Sequence, residues 1–173
     1  MKERYQSRVA VFLILMRETN GEKEVLLQRR CNTGYKDGEY DAACSGHLEA
    51  GESISAAVVR EASEEIGIEV NEYDLKLVQV IHAYKENYLN AFFTVDNYKG
   101  VPEIKEKDKC DDLNWFKVND LPENTIYRIN GIITIALGRS VSKAKCPNIL
   151  QSVTKKEIYA SVATVIIRLL NCL

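Results

Sequence analysis

The stretch from Gly46 to Ile68, GHLEAGESISAAVVREASEEIGI, constrains this chain more than any other. Ser53 is a plausible N-cap for a helix starting at Ser53 or Ile54. Gly67 stands where a left-handed residue closes a helix, and Ile68 can supply the accompanying apolar contact. Ile54, Val58, Ala62 and Ile66 recur four residues apart and predict a core-facing row. Glu61, Glu64 and Glu65 lie beside that row. At ~100° per residue they fall within an arc of roughly 100° and point the same way. Like charges at this spacing destabilise an isolated helix. A solvated acidic face is the ordinary reading of such a run. Here, however, the acids adjoin the apolar row rather than oppose it, and no lysine intervenes. A divalent cation is the natural counter-charge.

Carboxylates on one helical face can hold a hard cation through oxygen, and Mg²⁺ usually shares its shell with water and substrate phosphates. Glu52 lies in the loop before the helix. If that loop folds back, Glu52 can pair with Arg60 and bring backbone carbonyls near Gly46 close to the acids.

The rest of the chain limits what such a site can serve. A length of 173 residues suits one domain of ordinary size. A formal net charge of −2 gives no global positive field, which argues against nucleic acid or an anionic membrane surface as partner. A small anionic substrate remains compatible, because a bound cation reverses the local field. The five cysteines, Cys31, Cys44, Cys110, Cys146 and Cys172, form no CxxC pair, and with only two histidines there is no zinc-finger spacing. Reduced thiols and a cytoplasmic location are expected. No signal peptide or membrane-spanning run is visible.

In order, Arg8 to Met16 reads as a buried central strand, Asn20-Gly21 as a tight hairpin turn and Glu24 to Gln28 as the return strand. Cys31 to Tyr40 is a glycine-punctuated loop, and Tyr40 to Cys44 a short strand. Leu75 to Tyr84 and Tyr88 to Val95 form a hairpin, Asp96 to Asp112 a long loop, and Leu113 to Val118 a strand. A second helix spans Ile126 to Leu137, interrupted by Gly131, and a third runs from Lys155 to Leu170. This order predicts a mixed sheet with helices packed on it, an α/β fold.

The spaced residues Gly46, Glu52, Arg60, Glu61, Glu64, Glu65, Gly67 and Ile68 resemble the signature of the MutT-like Nudix hydrolases. Ala62 is smaller than the usual aliphatic residue there. LLQRR upstream and LNWFKVNDLPENT downstream extend the resemblance over about residues 5 to 140. It implies a Nudix domain at 1–140, an α/β/α sandwich with the mixed sheet between helices. Residues 141–173 would be an additional C-terminal helical extension, which packs on the sheet, covers the pocket or forms a homodimer.

The resemblance further implies hydrolysis of a nucleoside diphosphate linked to another group X, nucleoside triphosphates being the default. Glu61, Glu64 and Glu65 would bind Mg²⁺ or Mn²⁺ and orient the attacking water, with the Ser45 carbonyl as a further ligand. Glu52 would be structural, paired with Arg60 between the box glycines Gly46 and Gly67. A general base from a later loop is implied by Glu106, with Glu103 as the alternative. A nucleotide-sensing module without turnover is the competing reading, and it would be favoured by loss of box acids; none is lost. Cys44 and Ser45 depart from the family's usual proline and glycine.

For the substrate, Arg29, Arg30 and Lys36 can contact phosphates, and His47 phosphate or a metal-bound water. Tyr84 stands where dinucleoside polyphosphate hydrolases of the family carry a tyrosine. Tyr35, Tyr40 or Phe92 can stack on a base. Trp115 and Phe116 read as core.

Overall fold

The computed structural model describes residues 4–139. The third helix expected at Lys155 to Leu170 lies outside the described residues.

One strand organises the layers. β1 (Arg8–Thr19) alternates its side chains between two cores. Val11, Leu13 and Leu15 belong to one, and Ala10, Phe12 and Ile14 to the other. Such alternation is what a strand buried on both faces requires. β1 runs past the predicted end at Met16, because β2 (Glu22–Arg30) pairs with Met16 to Thr19. The connecting residues Asn20 and Gly21 have φ of 53° and 77°, the paired left-handed conformation that a two-residue hairpin turn needs.

The expected Tyr40 to Cys44 strand divides in two. β3 (Tyr40–Asp41) pairs with β2, and β4 (Cys44–His47) pairs with the first half of β1. The buried residues Ala42 and Ala43 carry the chain between them. β6 (Lys76–Ala83) and β7 (Tyr88–Val95) form the predicted hairpin, and β7 runs parallel to β1. β9 (Cys110–Lys117) closes the other edge on β2. The sheet is therefore mixed, with β1 shared by both halves.

α1 (Ile54–Ile66) covers one face and α2 (Tyr127–Ala136) the other, which gives the α/β/α sandwich. The Ser53 hydroxyl accepts the Ala56 amide, and Gly67, at φ 69°, closes the last turn. Ile54 is 41% exposed rather than core-facing. Burial of α1 begins at Ala57, so the packed row is Ala57, Val58, Ala62 and Ile66. α2 runs unbroken through Gly131. The buried side chains of Ile129, Ile132 and Ile133 outweigh a glycine cost of about 1 kcal/mol.

The segment read as a continuous loop from Asp96 to Asp112 contains more structure. β8 (Tyr98–Lys99) pairs with β5 (Glu69–Val70), and β9 starts at Cys110. Val70 is buried in the α1-side core with Tyr98 packed against it, so these short pairs rest on tertiary contacts.

Candidate functional site

The two ends of α1 place the acids. The loop entering it folds back, and the Arg60 guanidinium meets both Glu52 oxygens at 2.9 and 3.2 Å. The same group reaches Glu61 at 2.7 Å, Glu64 at 3.0 Å and the His47 carbonyl at 3.1 Å. One cation thus answers much of the repulsion that the acid spacing sets up. Glu64 remains the outermost of the acids, with its side chain 56% exposed.

Glu61 and Glu65 point inward, against β4. The Glu65 carboxylate accepts the Ser45 amide at 2.8 Å and the Gln28 side-chain amide at 3.1 Å. Burial pushes its proton affinity up to about 7, and the charges of Glu61 and Glu106 push the same way. Burial also raises Glu61, against the lowering effect of Arg60. Gly46 leaves room for the Glu61 carboxylate. A Cβ on it would fall within the Glu61 carboxylate, closer than any non-bonded contact allows.

At the other end of α1, a later loop docks on the helix. The Glu103 and Lys105 amides donate to the Ile66 and Glu65 carbonyls at 3.1 and 3.0 Å, serving carbonyls that a helix end leaves without intrahelical partners. That docking carries Glu106 to the cleft beside Glu61 and Glu65, where Lys109 holds its carboxylate at 2.9 and 3.0 Å. Glu103 instead pairs with Lys105 at 2.6 Å, away from the cleft-lining residues.

The cleft measures about 1510 Å³ and is lined by both acids and arginines. Glu61, Glu65 and Glu106 are the acids of the α1 side. Arg30 and Arg128 are gathered by fully buried Asp41, which accepts Arg128 at 2.9 Å and has Arg30 at 3.5 Å. Arg29 is not brought to the cleft. It turns to Asp111 at 2.7 Å, consistent with side chains alternating along β2. His47 stands at the rim with its Nε2 3.0 Å from the Tyr88 hydroxyl, and Tyr84 lies on the hairpin turn of the same rim. Tyr40 and Phe92 are core residues. The Tyr40 hydroxyl donates to Asp112, and Phe92 stacks on Phe12 at 4.6 Å.

Gln28, Asp41 and Arg128 were not singled out from sequence. Asp41 and Arg128 are polar residues interrupting apolar runs, in YDAA and IYRI, and Gln28 closes the run VLLQ; a polar residue set against such a run is the signal.

Among the described residues no three carboxylate, imidazole or thiolate groups already converge as a cation site. The donor chemistry nonetheless fits a hard divalent ion. It is all oxygen, and burial strains the charge of Glu61 and Glu65, a strain that a cation would relieve. Among the described residues no helix is long and apolar enough to cross a membrane.

Comparison with known proteins bears on this arrangement. The chain is 27% identical over 114 residues to an NAD-capped RNA hydrolase, NudC, of Deinococcus radiodurans, covering 66% of this chain but only 39% of that one. It is 30% identical over 121 residues to an isopentenyl-diphosphate Delta-isomerase of Aliivibrio fischeri, covering 65% and 67% respectively. A MutT NUDIX hydrolase structure from Burkholderia pseudomallei superposes with a TM-score of 0.64 at 25% identity, over 75% of this chain and 97% of that one. The family model described as the NUDIX domain matches residues 6–134. That match runs from just before β1 into α2, through every element that builds the cleft, and on it the chain belongs to the Nudix family.

Proposed function

We propose that the protein hydrolyses the pyrophosphate linkage of a nucleoside diphosphate joined to a further group X, nucleoside triphosphates and related nucleotides included. The observation that carries this reading is that Glu61, Glu65 and Glu106 line the same cleft as the arginines Arg30 and Arg128. Nudix hydrolases act on nucleoside diphosphate derivatives, and family membership with the MutT and NudC likenesses supports that reaction class.

Glu61, Glu64 and Glu65, with the Ser45 carbonyl, would hold Mg²⁺ or Mn²⁺. When bound, the ion neutralises the diphosphate and lowers the pKa of water. The chain's own residues do the rest. Arg60 ties the Glu52 loop to α1 and fixes the His47 carbonyl, so the entrance keeps its shape. Glu106 accepts a proton from the attacking water at a carboxylate oxygen, and Lys109 holds that carboxylate in position. Arg30 and His47 contact substrate phosphates, with Tyr84 at the rim. A net charge of −2 gives no global positive field for a nucleic acid, which favours a small nucleotide as the substrate.

The test is turnover of a panel of nucleoside triphosphates, nucleotide sugars, dinucleoside polyphosphates and NAD with Mg²⁺, with isopentenyl diphosphate as a base-free control. Parent activity that Glu65→Gln abolishes is expected. Nucleotide binding without turnover of any compound would favour a sensor, and turnover that survives both Glu64→Gln and Glu65→Gln would sink the site assignment.

A further inference from the structure

The aromatic side chains of the cleft are not equivalent. Tyr88 has a guanidinium over its ring, with Arg8 Cζ at 4.1 Å, and the His47 imidazole stacked at 5.5 Å. Phe12 is buried between Phe92 at 4.6 Å and Arg128 at 5.1 Å. Tyr35 differs: it is 52% exposed and yet held at several points. Its hydroxyl accepts from Arg128 Nη1 at 3.2 Å, and its carbonyl accepts from Arg30 Nε at 2.9 Å. Both guanidinium carbons lie near its ring centre, at 5.6 Å for Arg30 and 5.9 Å for Arg128. The turn carrying it is fixed from within, because the Asp37 carboxylate accepts the Thr33 and Gly34 amides and the Thr33 hydroxyl.

These contacts have a common consequence. An aromatic ring that is already immobilised loses little freedom when a second ring stacks on it. The arginines are themselves anchored by buried Asp41, so the platform is tied to the sheet floor. That floor is adjacent to the acids. Asp41 pairs across β3 and β2 with Gln28, whose amide holds Glu65. A nucleotide spans such an arrangement naturally, with its diphosphate by the acids and its base by the ring.

We propose that Tyr35, fixed by Arg128 and Arg30, is the stacking platform for the substrate's nucleobase, so that the cleft selects nucleosidic diphosphates over base-free ones. This rests on the hydrolase reading above and deepens it. Tyr35 acts by binding, and Arg128 is a positioning residue that holds the ring.

Equilibrium binding of adenosine, guanosine, cytidine and uridine 5′-diphosphates, with inorganic pyrophosphate as the base-free probe, tests it on the full chain. Loss of the ring in Tyr35→Ala is expected to weaken the best-bound nucleoside diphosphate roughly 5- to 100-fold. Pyrophosphate binding should stay within about twofold, since the ring stacks on the base and pyrophosphate has none. Tyr35→Phe, which keeps the ring but loses the Arg128 bond, should fall between the parent and Tyr35→Ala for the nucleotide and leave pyrophosphate unchanged, and so separates stacking from folding. Arg128→Met should weaken the nucleotide but spare pyrophosphate. Equal losses for both ligand types in Tyr35→Ala, or a selective loss produced by Tyr84→Ala or Tyr127→Ala instead, would overturn the assignment. A parent that binds and hydrolyses nucleotides with Tyr35→Ala indistinguishable from it refutes the platform alone. A parent that binds none of the diphosphates refutes the hydrolase reading as well.

Discussion

Replacing Glu65 by glutamine is expected to flatten the pH dependence of stability in the metal-free protein. Burial raises the Glu65 carboxyl from an ordinary 4.5 to about 7 in the folded state. Between those values the folded chain keeps a proton that the unfolded chain has already released. Stability contributed by the protonated group is therefore complete below about 4.5 and is lost as pH rises through about 7. The interval corresponds to on the order of 3 kcal/mol, a substantial part of a typical domain's stability. Glu61 is raised as well and adds to the same trend. Glu52 and Asp37, held low by Arg60 and Thr33 respectively, act in the opposite sense, but only as pH falls below the ordinary carboxylate range.

Urea unfolding in chelator at a series of pH values from 5 to 8 reads the effect directly. The parent should lose about 3 kcal/mol across the series, and Glu65→Gln, neutral throughout, should lose much less. Adding Mg²⁺ at pH 8 should restore the parent more than the variant, since a ligand of the native state stabilises it. A parent profile that is flat or rising over this range, or a glutamine variant with the full slope, would refute the reasoning.

Gly46→Ala should displace the Glu61 carboxylate, weakening Mn²⁺ binding by calorimetric titration while changing stability little, because the group that yields is the end of a flexible side chain. Arg60→Met leaves Glu52, Glu61 and Glu64 without their shared partner. It should destabilise the protein by roughly 1–3 kcal/mol at pH 7 and by less at pH 4, where Glu61, raised by burial, carries less charge, measured by the same unfolding series. Glu106→Gln should reduce kcat by about 10²-fold or more in steady-state assays, while Glu103→Gln, whose partner is Lys105, should stay within about twofold.

What could be read from sequence was what is decided locally. Ser53 and Gly67 mark the ends of α1 because their own backbone and side-chain bonds make those ends, and Asn20-Gly21 marks its hairpin for the same reason. Helical geometry put Glu61, Glu64 and Glu65 on neighbouring positions, but only Glu61 and Glu65 line the cleft, and Glu64 stays exposed. What was missed is set by distant partners. β5 and β8 are two residues each and exist as a pair, with Val70 and Tyr98 packed into the α1-side core. The choice between Arg29 and Arg30 as the cleft-lining arginine depends on which strand face turns inward. Arg128 and Asp41 meet across 87 positions of sequence, which no local pattern encodes. Ile54 kept the right spacing yet lies exposed in the first turn of its helix, before burial of α1 begins.

The docking of the Glu103–Lys105 backbone on the end of α1 has a dynamic counterpart. Two main-chain bonds, to the Ile66 and Glu65 carbonyls, make the last helical turn and the later loop a single opening unit. Fraying of that turn would withdraw Glu65 and Glu106 together, while Glu61 stays tied to Arg60 one turn earlier. Amide exchange at Lys105 therefore reports how often Glu65 and Glu106 leave the site together, and slowing it is a route to a longer-lived site.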